Sequence, residues 1–351
     1  MEKLKVAIIG AGSIAEMGHL PYYQKHPQVE LVAIVDKNLK RVQYMREKYS
    51  ISKIYSSFEE MVNDIKVDAV SICTPNVDHF PIAWEALNRG IHILVEKPLT
   101  TTYEEALKLQ KIAIEKKCVA MVGMTHRFRN DVKALKKYVE TGELGDIYYA
   151  KAKILRRRGT PRGWFTDKGR SGGGALMDIG VHALDLVWWL AGRPLPISVS
   201  GHLVKGIGAY FREFLSGWKS AVEENKDWGK FDVEDFATAF IRFKNDLVLH
   251  LEVSWAINGP QDEGLKVELY GTRGGLTLEP LVFYSDKNNL FNEAWLIVDK
   301  NNPFEEEINH FIESVLNNMT PYSPIEDGVQ VVKMLEAIIK SSESKEEIKF
   351  I

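Results

Sequence analysis

The sequence predicts an α/β chain in two parts: a doubly wound parallel-sheet domain over 1–123, and an α+β domain over 124–351 with a large open, mostly antiparallel sheet. Three observations carry this reading. Short apolar runs alternate with helix-like segments through the first third, a glycine-rich turn follows the first run directly, and beyond Gly123 the runs lengthen and begin to alternate.

Val6 to Ile9, Leu31 to Val35, Ala69 to Ile72, Ile91 to Val95 and Ala120 to Val122 are continuous apolar runs, as expected of strands covered on both faces. Between them, Gly90 ends a helix near Arg89, and Thr102 with Glu105 forms a capping box. In the second part, Ile147 to Ile154, Ile197 to Leu203, Phe236 to Phe243, Leu247 to Trp255, Leu265 to Gly271 and Trp295 to Val298 read as strands of a mostly meandering sheet with helices on one face. Asn245-Asp246 and Thr272-Arg273-Gly274-Gly275 supply the turn chemistry. Pro324 stands at the first turn of a closing helix over Ile325 to Ser342.

With 351 residues, 45% hydrophobic and 26% charged, the chain can bury two ordinary cores. A formal net charge of -3 argues against a dedicated nucleic-acid binder and for small-molecule partners. Cys73 and Cys118 read as small buried hydrophobes in a reducing compartment. The first strand begins almost at Met1, and no apolar run approaches membrane-spanning length, so a cytoplasmic protein without a membrane partner is expected.

Gly10-Ala11-Gly12-Ser13-Ile14-Ala15 follows the first strand and opens a helix, which is the dinucleotide fingerprint with Ala in its last position. Its first glycine permits the tight turn, its second admits a pyrophosphate, and the helix start offers N–H groups to the anion. Asp36 closes the second strand, where a carboxylate accepts from ribose hydroxyls and repels a 2'-phosphate. NAD is therefore the expected cofactor, with NADP open because Lys37 and Arg41 stand close by. Thr74-Pro75-Asn76 with His79, and Glu96-Lys97-Pro98, leave two further strands at their carboxyl ends, where doubly wound sheets bind ligands. Asn76 alone also fits a helix cap, and Glu96-Lys97 a surface ion pair.

Gly172-Gly173-Gly174 opens an apolar helix carrying Asp178, His182 and Asp185 at i, i+4 and i+7, which one helical face would share. A core histidine bonded to a carboxylate fits this pattern too. No second ligand cluster accompanies it, and no metal is expected.

Together these residues resemble the Gfo/Idh/MocA oxidoreductases over essentially the whole chain. The marks are the Gly10 turn, Thr74-Pro75-Asn76 with His79, Glu96-Lys97-Pro98, Gly123 with Arg127-Phe128, and the glycine-rich helix start running to Asp178, His182 and Asp185. The resemblance implies a Rossmann domain joined to a domain with a large open antiparallel sheet, and NAD(P)-dependent hydride transfer at a secondary alcohol of a sugar, glycoside or cyclitol. It matches Lys97, Asp178 and His182 to the catalytic trio, and the residues from Gly10 to Ile14, 74–76, His79 and 96–97 to the cofactor. Thr125, His126, Arg127, Trp164 and Ile179 are the candidate substrate contacts. Family members commonly carry Asn-Arg or Arg-Arg before the aromatic at this place, whereas this chain has Thr125-His126-Arg127-Phe128. The run from Arg156 to Trp164 reads as a loop over the site. An NAD-dependent glycosidase without net redox change, and a non-catalytic nucleotide sensor, are the rival functions. A homodimer or homotetramer is expected through the sheet face not covered by helices, the segment from Ile207 to Lys230 being the alternative cover.

Overall fold

The apolar runs of the first third pair as expected. In a computed structural model that describes residues 2–161, 163–210, 230–260 and 264–350, β1 (Leu4–Ile9), β2 (Val29–Val35), β3 (Lys53–Tyr55), β4 (Ala69–Ile72), β5 (His92–Glu96) and β6 (Ala120–Gly123) form a six-stranded parallel sheet. Its order is β3-β2-β1-β4-β5-β6, so the direction of winding reverses between β1 and β4. β3 escaped the sequence reading because three residues are too few to show a period.

Nine strands make the second sheet, in the order β14-β13-β12-β11-β7-β10-β9-β8-β15. Its long strands are β7 (Ile147–Leu155), β8 (Pro196–Val204), β9 (Phe236–Phe243), β10 (Val248–Ser254) and β11 (Lys266–Gly271). The edges are β12 (Gly274–Thr277), β13 (Val282–Lys287), β14 (Leu290–Trp295) and β15 (Ile348–Lys349). The sheet is mixed: β7 and β10 run parallel and the other paired strands antiparallel. Two expectations need correction. The strand placed over Trp295 to Val298 is Leu290–Trp295, an edge strand whose side chains, Leu290, Phe291 and Trp295 included, are all exposed. Gly274 and Gly275 belong to β12 rather than to the turn, where they pair with Ser285 and Tyr284.

Side-chain alternation separates the faces of this sheet. In β9, Ala237, Ala239, Ile241 and Phe243 are buried, while Phe240 and Arg242 are exposed. On the same face as Phe240, Tyr149 stacks on Tyr270 across strands with ring centroids 5.6 Å apart, and Lys151 lies opposite Glu268. The face is thus a mixture of aromatic rings and paired charges, not the apolar patch that the β9 sequence suggested. Arg162 and most of the segment from 207 to 230 lie outside the described residues.

The described residues divide into two compact units. One is drawn from 2–125 and 302–332 and holds the parallel sheet; the other is drawn from 126–210, 230–301 and 333–350 and holds the mixed sheet. The segment 302–332, which the sequence reading gave to the C-terminal domain, belongs with the parallel sheet. There Ser323 Oγ donates to the Val122 carbonyl at 2.7 Å and Gly18 lies against Phe304. Cys73 and Cys118 are free thiols. No helix among the described residues is long and apolar enough to cross a membrane.

The first turn imposes a backbone constraint that can be measured. Gly10 has φ +98°, and a Cβ there would lie 2.6 Å from the Cys73 carbonyl oxygen. Gly10→Ala is expected to destabilise the cofactor-free protein by about 2–4 kcal/mol, combining a strained dihedral with a backbone clash. Chemical unfolding of the two proteins checks this, and equal midpoints would contradict it.

Candidate active site

At the carboxyl edge of the parallel sheet, the glycine turn is built for close approach. A Cβ on Gly12 would meet nothing within 4 Å, and Thr74 Oγ1 is buried with no hydrogen-bond partner among the described residues. An open backbone surface and an unanswered hydroxyl at adjacent strand ends fit a dinucleotide, whose pyrophosphate the helix start from Ser13 can receive. Asp36 has a further task that the sequence did not reveal. Its Oδ2 accepts the Ala11 N–H and its Oδ1 the Asn38 N–H, each at 2.7 Å, so the carboxylate braces the turn it faces. Asn38 caps the helix Leu39–Tyr49 through the Lys40 and Arg41 N–H groups, while Lys37 is exposed and Arg41 half-buried.

Two residues expected at the cofactor serve the scaffold instead. His79 is fully buried, with Nδ1 2.8 Å from the Pro98 carbonyl and Nε2 3.0 Å from the Thr74 carbonyl, so its ring staples one loop to the other. Burial holds its pKa below the ordinary value despite both carbonyls. Glu96 is also buried: its Oε1 lies 2.9 Å from His19 Nε2, and its Oε2 accepts the Lys97 N–H. The other His19 nitrogen meets Ser71 Oγ at 2.7 Å. Burial alone would raise the Glu96 carboxyl, but the bond and charge of His19, helped by Lys97, hold it below its usual range. Lys97 itself keeps part of its surface.

Behind this network stands Glu307 of the helix Pro303–Asn317, which the sequence analysis missed because nothing in Glu305-Glu306-Glu307 marks one carboxylate for burial. Its Oε2 accepts from Thr125 Oγ1 at 2.9 Å, and its Oε1 has no hydrogen-bond partner among the described residues. Burial drives its carboxyl well above the usual range and the nearby Glu96 charge adds to this, so the proton of the pair resides on Glu307. Thr125, expected at the substrate, is buried and engaged with Glu307.

In the second unit, a π-helical turn, Leu176–Gly180, leads into the helix Val181–Leu190. From Gly173 to Leu190, Asp178 and His182 are the only residues that escape burial. Asp178 lies within the wider i→i+5 turn, a geometry frequent at functional sites, and His182 in the first turn of the helix that follows. Trp255, fully buried at the end of β10, donates its indole N–H to Asp178 Oδ2 at 3.0 Å. That partner is invisible in sequence because it lies 77 residues away in an apolar strand. The His126 ring stands edge-on to His182 with centroids 4.9 Å apart.

The remaining candidates divide. Asp185 turns inward, where its two oxygens take Arg127 Nε at 2.9 Å and Nη2 at 2.5 Å; both residues are buried, and the guanidinium stacks over Trp189. Arg127 is therefore a core ion pair and not a substrate contact, because its charge is already matched in a bidentate bond. Ile179, only 4% exposed, packs into the core as the apolar neighbour of Asp178. Trp164 remains half-buried, stacked on Phe165 at 4.0 Å. Arg158 of the basic loop donates to the Ile257 carbonyl and to Asn258.

Two family descriptions match in tandem: the oxidoreductase family with NAD-binding Rossmann fold over residues 4–124, and the GFO/IDH/MocA C-terminal domain over 132–277. D-glucoside 3-dehydrogenase of Escherichia coli K12 is 33% identical over 97% of this chain and 96% of its own length. The chain belongs to the GFO/IDH/MocA oxidoreductase family. Among solved structures, GenD2 from gentamicin A biosynthesis in complex with NAD aligns over 100% of this chain and 97% of its own at 25% identity and TM-score 0.80. Levoglucosan dehydrogenase in complex with NADH and levoglucosan aligns over 99% of both chains at 23% identity and TM-score 0.81, a likeness of fold.

The two buried charge networks generate separate expectations. Arg127→Met leaves Asp185 ionised without a partner and should cost about 3–5 kcal/mol, whereas Arg127→Met with Asp185→Leu should recover most of that loss; urea unfolding of both variants reads the difference. The raised Glu307 carboxyl contributes stability that is present below its unfolded value of 4.5 and is lost as pH rises toward its folded value. Wild type should therefore lose stability relative to Glu307→Gln as pH climbs above that value. Parallel unfolding curves at every pH would refute the assignment of the proton.

Proposed function

We propose that this protein is an NAD(H)-dependent dehydrogenase acting on a secondary alcohol of a sugar, glycoside or cyclitol. The observation that carries the reading is the pair of partly exposed groups, Asp178 and His182, on a helix that is otherwise buried from Gly173 to Leu190. Burying such a helix around two ionisable side chains is costly unless they have work at its surface. Membership of an oxidoreductase family, and likeness to a relative named for a glucoside 3-dehydrogenase, support a carbohydrate substrate.

The chemistry divides among the chain's own groups. His182 accepts the hydroxyl proton of the substrate as the C–H bond gives up its hydride, an imidazole being suited to proton exchange near neutrality. Asp178, held by the Trp255 indole, keeps the imidazole oriented. The Lys97 ammonium stabilises the alkoxide charge that develops before the carbonyl forms. A bound nicotinamide would supply the hydride acceptor, the balance being alcohol and NAD+ to ketone, NADH and a proton. The Gly10 to Ile14 turn, Asp36, Thr74 and Asn76 would hold it, with Asp36 favouring NAD over NADP. His126, edge-on to His182, and Trp164 remain the candidate substrate contacts. The proposed domain roles are nucleotide binding for the parallel-sheet unit and substrate binding with pairing of copies for the unit holding the mixed sheet.

A panel of sugars, glycosides and cyclitols assayed at the NADH absorbance band, with product mass in parallel, tests the function. Net NADH formation is expected; bond cleavage without it would make the protein a glycosidase, and binding without either would make it a sensor. On the substrate so found, His182→Ala should lower turnover by about 10²- to 10⁴-fold with cofactor affinity nearly unchanged. Near-normal turnover would remove His182 from the role of base. Dissociation constants should favour NADH over NADPH, an order that Lys37 and Arg41 would have to override Asp36 to reverse.

A further inference from the structure

Glu234 belongs to none of the motifs read from the sequence, and it reaches the reactive helix from 60 residues away. Its Oε1 accepts the N–H groups of Gly174 at 2.9 Å and Leu176 at 3.0 Å, and its own carbonyl accepts the Ala175 N–H at 3.1 Å. Three consecutive N–H groups at the start of the helix, which lack partners within it, thus end on one residue. The Glu234 carbonyl comes so close that Gly174 has no room for a Cβ. Asp235, next in sequence and fully buried, takes the N–H groups of Gly206 and Gly208 with its carboxylate and the Trp255 N–H at 2.8 Å with its carbonyl. Trp255 in turn donates its indole N–H to Asp178. Two adjacent residues therefore hold Asp178 by two routes, through the backbone of its helix and through the indole on its carboxylate.

We infer that Glu234 is a positioning residue for the Asp178–His182 pair, fixing the first turn of their helix in the placement from which Asp178 meets Trp255. The inference rests on the dehydrogenase reading. What the site requires of Glu234 is an acceptor oxygen of the right reach. Burial raises the Glu234 carboxyl above its usual range, so folding around its ionised form is penalised. Gln presents the same oxygen without that penalty, whereas Met matches the length and offers no comparable acceptor.

Full-length wild type, Glu234→Gln and Glu234→Met are compared well below their melting temperatures. The measurements are kcat and KM on the substrate found in the panel, the NADH dissociation constant, amide exchange at Gly174 and Leu176, and the NMR resonance of the Trp255 indole N–H. In Glu234→Met, kcat should fall by about 10- to 100-fold, because small misplacements of reacting groups are costly to rate, while KM and NADH affinity stay within about twofold. Exchange at Gly174 and Leu176 should quicken by about tenfold or more, and the Trp255 resonance should move. Glu234→Gln should match wild type within about twofold throughout. If Glu234→Met does not fold, Glu234→Asp takes its place, since the shorter side chain keeps the charge but cannot span both N–H groups, and the same kcat loss is expected. An undiminished kcat, or an unmoved indole resonance with unchanged exchange, would overturn the inference. Full turnover by His182→Ala would instead sink the assignment of the base alone, because the exchange and indole readouts require no catalysis.

Discussion

Burial of the segment from Gly173 to Leu190 is the constraint on which the unit holding the mixed sheet depends. A helix enclosed on nearly every side must satisfy each polar group it carries, and the surrounding chain is arranged to do so. Its first N–H groups end on Glu234, Asp185 closes on Arg127, Trp188 donates to the Pro194 carbonyl, and Asp178 receives the Trp255 indole. Gly174, just before the π-helical turn, belongs to the same requirement, since a Cβ there would collide with the Glu234 backbone that supplies a partner. The two positions left partly open, Asp178 and His182, are the ones proposed to carry the chemistry.

The parallel-sheet unit meets its own problem in a different way. Two carboxyls, Glu96 and Glu307, are buried within each other's electrostatic reach, a combination that cannot carry two negative charges. His19 and the Lys97 backbone favour the ionised form of Glu96, while among the described residues Thr125 alone bonds the Glu307 carboxyl, and the proton follows that asymmetry. The loops that present Thr74 and Lys97 are tied from behind by the His79 ring, so rigid support stands beneath the groups proposed to meet cofactor and substrate.

The mixed sheet shows how a strand read alone misleads. The sequence of β9 has aromatic residues on both alternation sets, which suggested an exposed apolar face; its neighbours place Lys151, Glu268, Glu252 and His250 around those rings. A cross-strand surface is the sum of several segments far apart in sequence, and its polarity is set by their register. Pairing of copies there would join stacked rings and matched charges rather than a dry apolar layer.

By itself the sequence determined the parallel sheet, the glycine turn, the helix bearing Asp178 and His182, and the family. Each is written in local form, as an apolar period, a φ that only glycine adopts readily, or a spacing along one element. It also brought His126 forward, which the structure sets against His182. The tertiary structure alone decided which charged candidates turn inward. Arg127, Glu96, His79 and Thr125 look in sequence like any other polar residues at strand ends, and only their burial against Asp185, His19, Pro98 and Glu307 shows that their bonding capacity is already taken. The same holds for Trp255, Glu234 and Glu307, whose roles come from contacts across 60 to 182 residues of chain. Local periodicity carries no information about such contacts, because a hydrogen bond depends on where two groups meet in space and not on how far apart they stand in sequence.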